Sequence, residues 1–251
     1  MIAVIDIGNT RLKWAIADEH GLSQADSAIH VDGLEAAVDA LVEVLPRGVR
    51  RALAVNVAGR AVGARIAGAL GARACATTFV AAEAERFGIR IAYAEPASLG
   101  ADRWVAMLAA HESTPGAVCI IQAGTAVTFD ALDASGQHLG GLILPSPRLM
   151  ADSLRRNTAR IGPAWFDAPR APGLGVLGAS TREAVARGAM LAIGAALDRA
   201  VAVVRAETEP AAQVLMTGGD AERLRPWLET DVLFSADLVL AGLAYMARHG
   251  E

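Results

Sequence analysis

The residues best suited to chemistry come at the start of the chain. Asp6-Ile7-Gly8-Asn9-Thr10-Arg11-Leu12-Lys13 follows the apolar run Ile2 to Ile5, which reads as a buried first strand. Asp6 closes that strand with a carboxylate able to hold a metal ion or its waters. Gly8 permits a tight turn that a side chain would block. Asn9 and Thr10 offer backbone and side-chain donors, and Lys13 places a positive charge on a second strand running Leu12 to Ala17. An acid, a glycine turn rich in donors and a lysine are together what a magnesium-bound triphosphate requires. The competing reading is a plain β-hairpin whose turn contains Gly-Asn, a common turn pair. The octapeptide is neither a G-x-x-x-x-G-K-[ST] loop nor a G-x-G-x-x-G turn, so those two nucleotide folds are not supported.

Three further stretches carry polar groups at turns. Gly100-Ala101-Asp102-Arg103 opens a helix that runs to about His111, after a loop, Tyr93 to Gly100, in which Pro96 disfavours helix before it. Asp102 is either a reacting carboxylate or an acid favoured by the helix dipole. Gln122-Ala123-Gly124-Thr125-Ala126 lies between the apolar strand Val118 to Ile121 and a second strand beginning Val127-Thr128-Phe129-Asp130. Thr217-Gly218-Gly219-Asp220 follows a strand at Val214 to Met216, and reads either as a close backbone approach to a ligand or as a strand-to-helix turn capped by Asp220. The five histidines, His20, His30, His111, His138 and His249, show no H-x-x-x-H spacing, which argues against a zinc centre.

The elements that must position these groups alternate along the chain. Asp32 with Glu35 resembles a capping box ahead of the helical stripe Leu34, Val38, Leu41, Val42 and Leu45. A strand at Ala52 to Val57, a helix at Ala61 to Leu70 and a strand near Thr78 to Ala81 follow. After Ala117 the strand–turn–strand pattern of the N-terminus starts again, which suggests two related halves with a boundary near Ser113 to Gly116. The second half adds a helix from about Leu149 to Arg160, a Pro/Gly-rich loop at 161–178 and a long helix from Thr181 to Glu207. It ends with a strand at Val232 to Phe234 and a helix from about Asp237 to Arg248. The expected domains are therefore 1–115 and 116–251, in an α/β architecture with helices packed on sheets.

Composition narrows the class. With 251 residues, 53% hydrophobic, the chain can build two compact cores. Aromatics make up 4%, so those cores must be mostly Ala, Val, Leu and Ile. The net charge of −4, from 23 basic and 27 acidic residues, argues against broad nucleic-acid binding. Cys75 and Cys119 form no metal-ligand spacing and suggest no disulfide framework, which fits a reducing cytoplasm. No leader pattern opens the chain. The most apolar helix, Gly188 to Val204, is broken by Asp198 and Arg199 and reads as buried rather than membrane-spanning.

The Asp6–Lys13 turn, Gly100-Ala101-Asp102-Arg103-Trp104, Gly124-Thr125-Ala126, Thr217-Gly218-Gly219-Asp220 and Asp237-Leu238-Val239-Leu240-Ala241-Gly242-Leu243 occur in this order over nearly the whole chain. Together they resemble the type III pantothenate kinase family, also called the Bvg accessory factor family. The resemblance implies the acetate and sugar kinase, Hsp70 and actin superfamily, with two similar ribonuclease H-like domains. It implies ATP-dependent phosphorylation of pantothenate at its 4′-hydroxyl, a homodimer, Mg²⁺, and K⁺ or NH₄⁺. It assigns Asp102 as catalytic base, and Tyr93, Gly100, Ala101, Arg103 and Thr181 to pantothenate. Asp6 through Lys13, Thr125, Gly218 and Gly219 go to ATP and its phosphates, with Asp6 attending Mg²⁺ through water. The family's monovalent-cation ligand is an Asp where this chain has Gln122, which puts the K⁺ requirement in question. An alternative is a regulatory protein that kept the fold without the chemistry, or another small-molecule kinase of the superfamily.

Overall fold

The structure, a computed structural model, describes residues 1–164, 166 and 173–250. The chain divides into two units, the first made of residues 1–113 with 237–250, the second of Thr114–Ala236. The first begins with β1 (Ile2–Ile7), β2 (Arg11–Asp18) and β3 (Gly21–Ile29), joined by short turns as an antiparallel meander. Then come α1 (Leu34–Val44), β4 (Arg51–Asn56), α2 (Arg60–Gly71) and β5 (Ala76–Phe79). β4 and β5 add parallel to the other edge of β1, giving the order β3-β2-β1-β4-β5. A small hairpin, β6 (Glu85–Arg86) with β7 (Ile89–Arg90), precedes α3 (Ala101–Ser113). Ile5, Ile7, Leu12, Trp14 and Ile16 of the sheet pack with Val38 and Leu41 of α1 and Ile66 and Leu70 of α2 in one core. The stripe read from sequence for α1 is thus the buried one.

The second unit repeats this plan. β8 (Val118–Ala123), β9 (Ala126–Leu132) and β10 (His138–Pro145) form the antiparallel meander. α4 (Pro147–Asn157), α5 (Thr181–Glu207), β11 (Gln213–Thr217), α6 (Ala221–Leu224) and β12 (Leu233–Phe234) follow, and β11 and β12 again join in parallel. The order β10-β9-β8-β11-β12 has the same connectivity and the same sequence of antiparallel and parallel pairings as the first sheet. The repeat of two halves inferred from one short motif is thus present at the level of topology. Met190, Ile193, Leu197 and Val201 of α5 pack on Ile121, Val127, Phe129 and Met216, and Phe166 joins that core as a half-buried neighbour. Among the described residues no helix is long and apolar enough to cross a membrane. Trp165 and residues 167–172 of the Pro/Gly-rich stretch lie outside the described residues.

Three local expectations are corrected. The last helix, α7 (Leu238–His249), groups with the first unit, although the sequence boundary assigned 116–251 to one domain. The reason is packing: Gly242 of α7 presses on the Val105 carbonyl of α3 so closely that a Cβ there would overlap it. A contact of this kind leaves no mark on either segment's periodicity. The capping box is also absent. Gly33 occupies the N-cap of α1 without a side-chain cap, and Glu35 instead pairs with Arg65 of α2. α4 starts earlier than expected, because Ser146 caps it by accepting from the Leu149 amide and Pro147 takes the first turn.

Candidate active site

Strand alternation decides which way Asp6 faces. Ile5 and Ile7 point into the core beneath α1 and α2, so Asp6, between them, projects from the opposite face of the sheet, toward α3 and α7. Its register partner on β2 is Lys13, which therefore shares that face. Lys13 Nζ lies 3.5 Å from Asp237 Oδ1, at the N-cap of α7. Asp102, in the first turn of α3, is also near enough to act on Asp6. Burial, then Asp102, push the Asp6 carboxyl up from 3.8 to about 7; Lys13 opposes this and Asp237 adds to it. Asp102 folds back over Gly100, where a Cβ would meet its Oδ1 at 2.7 Å, and that oxygen accepts from the Arg103 amide at 2.9 Å. The Arg103 side chain is not a surface group. It is 4% exposed, and its Nη1 donates to the Tyr93 hydroxyl at 3.1 Å.

The expected phosphate residues therefore divide. Ile7 and Leu12 are fully buried, so only their backbones can face a ligand. Arg11 reaches sideways to β3, donating to Ser27 Oγ at 2.9 Å. Asn9 is exposed at the turn, and Gly8 closes it, its backbone N–H donating a hydrogen bond to the Arg11 carbonyl at 3.1 Å.

In the second unit Gln122 holds the position on β8 that Asp6 holds on β1, one residue before the strand's end. Its partners are Thr128 on β9 and Thr217 on β11, and Thr128 Oγ1 donates to Gln122 Oε1 at 3.4 Å. Asp130, two residues further on the same face, is buried against His138 Nε2 at 3.2 Å. Thr125 stands exposed at the turn. Gly218 has a φ of +107°, and a Cβ there would overlap the Ala123 carbonyl, so this position requires glycine for two separate reasons. Gly219 has open space around it. Asp220 sits at the N-cap of α6 without a cap bond and pairs instead with Arg223 at 3.1 Å. Thr181 is the exposed first residue of α5, behind Ser180, which makes the cap.

Within the first unit, then, the fold gathers Asp6, Lys13, Asp102 and Asp237, and separately joins Arg103 to Tyr93. The sequence reading assigned Asp237 no role of its own; the available signal was a carboxylate directly ahead of an apolar helix. Among the described residues no three His, Cys, Asp or Glu side chains are grouped to chelate an ion. A half-buried carboxylate held above its usual range by desolvation and then by neighbouring acids is nonetheless a place where a cation relieves repulsion. That donor set suits Mg²⁺, which keeps several waters and takes one or two protein carboxylates beside phosphate oxygens.

Two sheets of identical mixed topology, each opening on a strand–turn–strand that presents polar groups, define the acetate and sugar kinase, Hsp70 and actin class. The chain is similar to the solved polyphosphate/ATP-glucomannokinase of Arthrobacter sp. strain KM, with a TM-score of 0.50 over 100% of this chain and 99% of that one. Identity there is 16%, so the likeness is one of fold. The particular family follows from sequence. The type III pantothenate kinase profile matches residues 2–203. The type III pantothenate kinase of Aromatoleum aromaticum is 38% identical over 99% of this chain and 98% of its own length. That of Chromobacterium violaceum is 38% identical over 98% and 99%. The chain belongs to the type III pantothenate kinase family.

Proposed function

We propose that this chain transfers the γ-phosphoryl group of ATP to the 4′-hydroxyl of pantothenate, giving 4′-phosphopantothenate and ADP, the first step toward coenzyme A. The observation that carries the reading is the meeting of Asp6, Lys13 and Asp102 on one face of the first sheet in a member of this family. Asp102 orients the hydroxyl and takes its proton as the new O–P bond forms. Phosphoryl transfer has a loose transition state, so this positioning counts for more than base strength. Lys13 meets phosphate charge, with Asp237 holding the ammonium in place. Arg103, its fork already oriented by Tyr93, suits the pantothenate carboxylate. Gly100 and Ala101, beside Asp102, are proposed as further pantothenate contacts.

When bound, Mg²⁺ would supply charge neutralisation at the phosphates, and Asp6 is the residue that would hold it, through water. Thr125, Gly218 and Gly219 are proposed for the nucleotide and Thr181 for pantothenate. Gln122 stands at the monovalent-cation position, where its neutral amide oxygen can take K⁺ or NH₄⁺ but brings no charge. The proposal extends to a cytoplasmic homodimer whose partners are ATP and pantothenate, with no nucleic acid or membrane. Retention of Asp6, Lys13, Asp102 and Arg103 favours an enzyme over a regulatory protein of the same fold. Purified protein with Mg-ATP, K⁺ and pantothenate should form 4′-phosphopantothenate stoichiometrically with ADP, read by mass spectrometry. ADP release with a sugar or another short acid and none with pantothenate would assign a different acceptor.

A further inference from the structure

His30 has no part in the chemistry above, yet it is one of the few buried polar side chains, 5% exposed. It stands directly after β3 and makes two bonds to the turn that follows β1. Its backbone amide donates to the Thr10 carbonyl at 3.0 Å, and its ring Nε2 lies 2.6 Å from the Gly8 carbonyl oxygen. A carbonyl only accepts, so Nε2 carries the proton. Three other carbonyls around this turn accept from backbone: Ile7 from the Val57 amide at 3.0 Å, Thr10 from that of His30, and Arg11 from the Gly8 amide at 3.1 Å. Gly8 is the position where the backbone partner is replaced by a side chain.

The consequence follows from peptide planarity. In a trans peptide the N–H of one residue points opposite to the C=O of the residue before it. Tying the Gly8 carbonyl to His30 therefore aims the Asn9 N–H away from His30, on the exposed side of the turn. It also removes a partial negative charge that a freely rotating peptide would turn toward an approaching anion. A phosphate met by N–H groups alone is bound; one met by a carbonyl is repelled.

We infer that His30 is a positioning residue for the nucleotide: its ring locks the Gly8–Asn9 peptide with the amide facing the phosphates. The inference rests on the assignment of the Asp6–Lys13 turn to ATP phosphates. The test compares His30→Gln with His30→Met in the full-length protein. The two side chains have similar length and shape, but only Gln keeps a neutral N–H at about the reach of Nε2. The readouts are binding of the magnesium complex of a non-hydrolysable ATP analogue by calorimetry, KM for ATP and for pantothenate, and the melting temperature.

His30→Met is expected to weaken nucleotide binding and raise the ATP KM about five- to tenfold, the loss of one hydrogen bond. The pantothenate KM should move less than about twofold by the same arithmetic, and His30→Gln should restore most of the nucleotide affinity. A merely structural role would lower melting temperature without separating the two substrates or the two variants. Equal nucleotide affinity in the Gln and Met variants overturns the inference. Lys13→Met distinguishes the two failures: if it loses nucleotide while His30→Met does not, the turn still binds phosphate and only the role of His30 falls. If neither variant loses nucleotide, the assignment of the turn itself is wrong.

Discussion

The turns after β1 and β8 are the same device with different electrical content. Each follows a strand whose penultimate residue is polar, Asp6 in one and Gln122 in the other. Each is closed by a glycine amide, Gly8 to the Arg11 carbonyl and Gly124 to the Ala126 carbonyl, at 3.1 and 3.0 Å. The cross-strand partner of the acid is Lys13; that of the amide is Thr128. In the first unit desolvation, and then the carboxylates Asp102 and Asp237 against the opposing Lys13, push the acid up to about 7. The second turn carries a hydroxyl-to-amide contact and no formal charge. One topology thus supports a site under electrostatic tension and a neutral one. The tension lies on the face proposed above to handle cations and transferring phosphate, where binding would relieve it.

The largest test of that division removes the acid assigned to the reaction. Asp102→Asn keeps size and lacks the base, so kcat should fall by on the order of 10²-fold or more. ATP binding, measured by calorimetry, should survive. Near-normal turnover by a folded variant would take Asp102 out of the mechanism and leave the charged face without a reason.

Neutralising the first turn comes next. Asp6→Asn should lower kcat/KM for Mg-ATP by about tenfold or more, since one charge-assisted contact is lost. The same change should stabilise the unliganded protein, and the effect has a defined pH course. The folded-state pKa of Asp6 is raised from 3.8 to about 7, so between those values the native state binds the extra proton. Wild-type stability therefore declines as pH rises through that window, and the decline is complete above it. Asp6→Asn lacks this term. Its advantage in unfolding free energy, read by denaturant melts, should be small at pH 4 and greatest at pH 8, on the order of 1–3 kcal/mol once solvent access to the half-buried carboxylate is allowed for. An advantage that does not grow with pH would mean that Asp6 is not under tension.

The converse substitution is the mildest. Gln122→Asp puts a charge into the second turn. Without that charge the wild type should show a shallow dependence on K⁺, and the Asp variant should reach half-maximal activity at several-fold lower K⁺, as one added Coulomb partner allows. Assays in buffer free of K⁺ and NH₄⁺ measure both. A wild type with a steep, saturable requirement that Asp does not strengthen would make the neutral amide a sufficient ligand.

The residues that local chemistry controls were legible before any coordinates. An apolar run ending in Asp6 and a glycine turn had to be a strand and a turn, because side-chain alternation and the absence of a Cβ are properties of the segment itself. The recurrence at Gln122-Ala123-Gly124-Thr125 announced a second copy for the same reason. Asp32 and Glu35 mark the limit of such reasoning. Their spacing fits a capping box, but Glu35 found Arg65 on a neighbouring helix, and a bidentate ion pair outcompeted a local cap. The β6–β7 hairpin, of two residues per strand, is too short to show a period at all.

What tertiary structure alone decided is which distant groups share a face. α7 returns to the first unit because Gly242 lets it lie against α3, and that return brings Asp237 to Lys13. His30 reaches Gly8 because antiparallel pairing carries the end of β3 back beside the turn where β2 begins. Motif spacing determined what kinds of groups the chain possesses. Sheet register and helix packing determined which of them feel one another's charge, since electrostatic coupling depends on separation in space and not along the chain.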